Sequence, residues 1–174
     1  MLNKEVTTTS FFDIIQIVNN KIEIGFLKDH TQFIDEVAVL WHQEWGGKLD
    51  ESDLPRKRVS VRGGAQRGKL PFIIVAIIGG ELAGSASLFE NDLENRPELT
   101  PWLAAVVTKY QFRGKGIAEK LSNAIVIECK RLGYRKIYLR TEKADEYFKH
   151  LGWTLFDDTK DENAQPTRVY FKEI

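Results

Sequence analysis

The segment Val106–Ala118 constrains this chain more than any other. An apolar run ends at Val106-Val107-Thr108, a short turn follows, and a helical pattern opens behind Gly114 and Gly116. A strand that feeds directly into a helix belongs to an α/β architecture. The first N–H groups of a helix lack partners inside the helix and carry partial positive charge. Glycine lets that backbone approach a phosphate with no Cβ in the way. Arg113 and Lys115 add two cations. The residues alone fit a phosphate or pyrophosphate site, and equally a plain tight turn between strand and helix.

Two other phosphate patterns can be tested on the residues. The dinucleotide pattern G-x-G-x-x-G fails because Glu119 stands where a third glycine or alanine is needed. Gly63–Lys69 nearly spells a P-loop, but Leu70 replaces the magnesium-binding hydroxyl and Pro71 precedes a strand.

Around the turn, the pattern reads as one domain. Ser10 caps a helical run with Phe11, Ile14, Ile15 and Val18, predicting an N-terminal helical extension over residues 1–20 and a main domain over 21–174. Ile22–Leu27 reads as a strand. Asp29, with Gln32 placed for a capping box, predicts a helix whose apolar face is Phe33, Val37, Leu40 and Trp41, stopped by Gly46-Gly47. Residues 48–70 are polar and basic, suited to a short helix and a loop. Phe72–Ile78, Gly79-Gly80 and Glu81–Glu90 form a hairpin signal. Trp102–Thr108 is the next strand, and the helix behind Gly116 runs to about Leu132 before Gly133. Lys136–Thr141, Lys143–Leu151, Trp153–Asp157 and Arg168–Glu173 then read as strand, helix, strand and strand, with Asp158–Gln165 as a loop. Antiparallel hairpins around a central β-α-β unit predict an α/β fold: a mixed, mostly antiparallel sheet of about seven strands flanked by helices.

Composition removes several classes. Lys+Arg and Asp+Glu balance at 25 each, so no global charge draws nucleic acid or a membrane surface. Cys129, the single cysteine, reads as a core residue, and His30, His42 and His150 lack metal-ligand spacing, so no metal is expected. With no signal-like or membrane-spanning run in this sequence, the expected location is the cytoplasm.

Arg113-Gly114-Lys115-Gly116-Ile117-Ala118 matches R/Q-x-x-G-x-G/A, the signature of the GNAT superfamily of acyl-CoA-dependent N-acetyltransferases, which the chain resembles over roughly residues 22–173. A second family feature, A-x-x-hydrophobic-Y-x-x-x-G-F, is approached by Ala144–Trp153. The resemblance implies a GNAT-like fold and transfer of an acyl group, by default acetyl, from acetyl-CoA to an amine on a small molecule or peptide. It implies that Val106, Val107 and Thr108 hold the pantetheine arm through their backbone. The N–H groups of Arg113, Gly114, Lys115, Gly116, Ile117 and Ala118 would hold the pyrophosphate, with Ala144 and Phe148 beside the thiol.

An ammonium near pKa 10 must lose a proton before it attacks, so a base is required. The resemblance implies a carboxylate near the central strands for this role, and Glu90 and Asp92 are the candidates, with Glu90 preferred because a strand end is better fixed than a loop. The resemblance places the acid for the leaving thiolate at Phe148, where tyrosine is usual. Tyr147 is adjacent but turned about 100° around the helix. A local shift of Tyr147, protonation by water, and slow or absent transfer all stay open. Absent transfer would make the chain a non-catalytic CoA-binding regulatory module. The resemblance forms the acceptor groove from the first helices and the loop joining the last two strands, which here carry Trp41, His42, Glu44, Trp45, the basic 56–69 stretch and the acidic Asp157–Glu162. Trp45 and Trp102 are the candidate acceptor contacts. These charges point in opposite directions and name no acceptor. The oligomeric state is equally unread, a homodimer being one option.

Overall fold

A computed structural model of the chain describes residues 21–45 and 53–174. The expected extension over 1–20 and the Gly46-Gly47 stop lie outside the described residues. The order is β1 (Ile22–Phe26), α1 (Ile34–Trp45), α2 (Leu54–Gly64), β2 (Phe72–Ile78), β3 (Glu81–Phe89), β4 (Trp102–Thr108), α3 (Ile117–Arg131), β5 (Lys136–Thr141), α4 (Asp145–His150), β6 (Thr154–Lys160) and β7 (Pro166–Glu173). The strands form one seven-stranded sheet in the order β1-β2-β3-β4-β5-β7-β6. Of the adjacent pairs only β4–β5 is parallel, so the mostly antiparallel mixed sheet is as expected.

Alternation along the strands sorts side chains to two faces. Phe72, Ile74, Leu103, Ile137 and Leu139 pack with Ile117, Leu121, Ile125 and Cys129 of α3. Ile73, Val75, Ile77 and Leu82 pack on the other face with Val37, Leu40 and Trp41 of α1 and Val61 of α2. Because β2 lies between both helix layers, all seven of its residues are buried, which explains its unbroken apolar run. Each such Val, Ile or Phe contributes roughly 1.5–3 kcal/mol. Cys129 sits in this core, and burial pushes its thiol up to about 12. Trp41 is core as well, its indole N–H donating to Ser85 Oγ at 2.9 Å.

Several boundaries differ from the expected ones, and three of the differences are instructive. The helix expected from Asp29 begins at Ile34, after two 3-10 turns, Leu27–Asp29 and Thr31–Phe33. His30, at φ −131° and ψ 47°, interrupts the helical path between them, and no side chain caps either turn. Asp29 instead pairs with Arg67, a partner 38 residues away that local spacing cannot show. α4 begins at Asp145 rather than Lys143, because Thr141 Oγ1 accepts the N–H groups of Lys143 and Ala144 at 3.4 and 3.0 Å. β6 continues to Lys160, shortening the expected loop. Asp161 Oδ1 closes that hairpin by accepting the N–H groups of Asn163 and Gln165 at 2.9 and 2.8 Å.

The near P-loop match dissolves in the fold. Gly63 and Gly64 end α2 and Phe72 starts β2, so helix precedes strand, the reverse of the phosphate-cradling order.

Candidate active site

Two irregularities in β4 open the site. β4 and β5 pair only at Trp102↔Tyr138, and beyond that rung they part. The edge of Val106–Thr108 that faces β5 is therefore free of a strand partner. β4 also carries a bulge: Ser85 pairs with Val107 and Ser87 with Ala104, leaving Ala105 and Val106 opposite a single residue. Ala105 adopts φ 51°, an uncommon value for a residue with a Cβ. Gly84 lies close by, where a Cβ would overlap the carbonyl oxygen of Val107.

A cleft of about 460 Å³ follows this free edge to the start of α3. Its walls are Val106, Val107 and Thr108, the turn residues Phe112, Arg113, Gly114 and Gly116, and Ile117 and Ala118. Gly116 caps α3 at φ 71°, Gly114 has φ 76°, and a Cβ on either would meet nothing within 4 Å. The glycines are thus required by the backbone conformation, and the space before them is open. The first α3 bond runs from Lys120 N–H to Gly116 O at 3.1 Å. The N–H groups of Ile117, Ala118 and Glu119 consequently have no acceptor within the helix, and no side chain caps them. Free N–H groups at a helix start attract anions.

Arg113 stands at this mouth. Its Nε donates to Thr108 O at 3.2 Å, and its Nη2 lies 3.3 Å from Glu44 Oε2. Glu44, near the end of α1, places a carboxylate on the wall of the cleft. The sequence put Glu44 in the acceptor groove and gave no signal of this pairing, which joins residues 69 apart. Lys115 turns toward Phe112, its Nζ 5.4 Å from the ring centroid, and does not line the cleft.

On α4 the ring expected beside the thiol, Phe148, turns into the core, and its neighbour Tyr147 reaches the cleft. Phe148 is 9% exposed and packs edge-on to Trp153 in the core, while Tyr147, 40% exposed, lines the cleft. The 100° step between helical neighbours decides it: the core takes the purely apolar ring, which leaves the phenol facing the site. Burial and then Glu119 raise the Tyr147 pKa above its usual 10. Ala144 is the N-cap residue of α4 and packs against the core.

The carboxylates expected after β3 fare differently. Glu90 is exposed, one residue past the strand, and its side chain makes no hydrogen bond or ion pair with a described residue. Asp92 is half-buried and accepts from Arg140 Nε at 3.2 Å. Burial raises its pKa from 3.8 to about 6, against the lowering by Arg140, with Glu162 and Glu142 adding smaller upward pushes. Sequence reasoning preferred Glu90 as the better fixed of the two; in the fold Asp92 is the one held by Arg140. Trp45 is 48% exposed at the end of α1. Trp102, expected to touch an acceptor, is fully buried with Leu93, Leu99 and Val169, its indole N–H donating to Leu99 O. Among the described residues no group of three or more His, Cys, Asp or Glu side chains could hold a metal, and no helix is long and apolar enough to cross a membrane.

The chain matches the Acetyltransferase (GNAT) family over residues 34–153. It belongs to that family. The fold agrees with solved structures despite low identity. An aminoglycoside 6'-N-acetyltransferase complexed with coenzyme A shares 16% identity at TM-score 0.70, over 87% of this chain and 96% of the other. The aminoglycoside 6'-N-acetyltransferase from Enterococcus faecium shares 16% at TM-score 0.69, again over 87% and 96%. The protein yncA from Salmonella typhimurium, solved with its cofactor acetyl-CoA, shares 16% at TM-score 0.68, over 88% and 94%. No curated protein sequence matches the chain.

Proposed function

We propose that the chain transfers an acetyl group from acetyl-CoA directly to an amine. The observation that carries this reading is the cleft itself, where an unpaired strand edge leads to a glycine-opened helix N-terminus with open space before it. That shape fits a long arm ending in a pyrophosphate: peptide-like groups against Val106–Thr108, phosphates against the N–H groups of Ile117 and Ala118 and the Arg113 guanidinium. The structures solved with coenzyme A or acetyl-CoA share this fold.

Acetyl-CoA supplies the acyl group already activated as a thioester. The chain's own groups manage position and protons. The bulge at Ala105 leaves backbone polar groups outside the β3 ladder, available to a carbonyl oxygen that gains charge. Asp92 accepts the proton of the attacking amine, directly or through water; a pKa of about 6 keeps it ionised at neutral pH yet basic enough to share a proton. Tyr147 gives its proton to the departing thiolate and regains one from solvent. Amines to screen are polyamines, aminoglycosides and peptide amines.

Calorimetry with acetyl-CoA tests the reading, on the wild type and on Gly116→Glu. Binding in the wild type and its loss in the folded variant supports the site; a wild type that binds no acetyl-CoA overturns it. Glutamate there meets both obstacles, a φ of 71° and an anion placed where phosphates should sit.

A further inference from the structure

The loop after β3 and the β6–β7 hairpin are far apart in sequence, yet three side chains stitch them together. Asn95 Nδ2 donates to Lys160 O at 2.9 Å. Arg96 pairs with Asp157 and stands over the Phe156 ring, 5.5 Å from its centroid. Arg140 reaches both segments at once: its Nε is 3.2 Å from Asp92 Oδ2 and its Nη1 is 3.8 Å from Asp161 Oδ2. Asp161 is in turn the residue whose carboxylate closes the hairpin through Asn163 and Gln165. Arg140 and both carboxylates are at most 27% exposed, so the pair of contacts is shielded from solvent and salt.

The register gives this arginine its place. Tyr138 is the last residue of β5 that pairs with β4, opposite Trp102. Arg140 lies two residues further along β5, at the register of Ala104, where the strands part and beside the bulge at Ala105. Tyr138 and Arg140 share a face, the one covered by the loop that carries Asp92. A planar guanidinium can address two carboxylates through separate N–H groups, which a lysine ammonium on a flexible stem cannot do with the same fixity.

We infer that Arg140 is the positioning residue of the acceptor end: it clamps the Asp92 carboxylate beside the parting of β4 and β5 and ties the loop bearing it to the β6–β7 hairpin. The inference rests on the acyl-transfer reading for what Asp92 does there. The clamp itself is independent of that reading.

Arg140 also sets the charge state of its partner. The groups facing Asp92 are Arg140 from β5, Glu142 just beyond it and Glu162 from the hairpin, with Asp161 on the far side of the guanidinium. Arg140 is the one cation among them, so its loss leaves a half-buried carboxyl among acids.

The test is a pH titration of the side-chain carboxyl carbons by NMR, with aspartate labelled in the full chain. Asp92→Asn identifies the Asp92 signal by its disappearance. Arg140→Gln should move the Asp92 midpoint up by about one unit or more. Arg140→Lys keeps the charge and should leave the midpoint within about half a unit, while loosening the hairpin and raising amide exchange at Asn163 and Gln165. An unmoved midpoint in Arg140→Gln overturns the inference, as does a lysine variant that shifts as far as glutamine. Should Arg140→Gln fail to fold, the lysine variant decides alone: unchanged exchange at the hairpin overturns the clamp. Acetyl-CoA affinity, read by calorimetry on the same samples, should stay within about twofold of wild type, because Arg140 does not line the cofactor cleft. Loss of acetyl-CoA binding in the wild type would sink the acyl-transfer reading and leave the titration result standing.

Discussion

The two ends of the site are built on different principles. The cofactor end is made of backbone: an unpaired strand edge, a bulge, two left-handed glycines and the free N–H groups that open α3. The proposed acceptor end is made of side chains, with Asp92, Arg140 and Asp161 drawn from three separate segments. Backbone groups are present in every residue, so the first end depends on conformation and tolerates exposure. The second depends on identity and burial, because a carboxylate becomes a useful base near neutral pH only when its surroundings shift it. The first end should therefore fail through glycines and the second through single charges.

That contrast can be broken by experiment. The largest effect belongs to the glycine turn, where Gly116→Glu should weaken acetyl-CoA binding by about a hundredfold or more through strain and like-charge repulsion. Next is Asp92→Asn, expected to lower kcat by about 10²–10³ while leaving acetyl-CoA affinity unchanged, measured with any amine the wild type accepts. A variant retaining full turnover would move the base to Glu90 or to water.

The same substitution has a stability consequence with a definite sign. A carboxyl whose pKa rises from 3.8 to about 6 on folding favours the folded state below the unfolded value, and this contribution is lost as pH rises through the folded one. The amide that replaces it in Asp92→Asn does not titrate. The variant should therefore gain about 2–3 kcal/mol relative to wild type between pH 4 and pH 8, read from urea unfolding at both values. A gap that does not change with pH would mean that burial leaves Asp92 unshifted.

Tyr147→Phe comes third. Its phenol faces the cleft, so kcat should drop by about tenfold, a modest loss because a thiolate leaves tolerably without an acid. Wild-type turnover would assign the proton to water. The smallest effect is at Glu44. The Glu44–Arg113 pair is exposed, and such pairs contribute little, but its carboxylate competes with an incoming phosphate. Glu44→Gln should tighten acetyl-CoA binding by about two- to threefold at low salt, and the gain should fade as salt rises. Looser binding would mean that Glu44 positions Arg113 rather than competing for it.

Much of the backbone that lines the cleft was legible beforehand because its signals are local. A strand, a turn and glycines two residues apart in sequence remain adjacent in space, and the backbone physics of a helix start needs no distant partner. The acceptor end was not legible. Glu90 looked better fixed than Asp92 because strand ends usually are. The order reversed because Arg140, 48 residues away, reaches Asp92, and among the described residues nothing comparable reaches Glu90. Trp102 looked like a groove wall, yet Leu93, Leu99 and Val169 close over it.

What the sequence determined by itself was the order of the strands and helices among the described residues and the glycine turn that opens α3. Hydrophobic period, glycine and helix-end chemistry act within a few residues, and those are written in adjacent positions. The tertiary structure decided which neighbour on α4 faced the cleft, where β4 parted from β5, and which carboxylate met an arginine. Those outcomes depend on what the core accepts and on which buried charges find partners. Both are properties of segments brought together by folding, which no stretch of sequence contains.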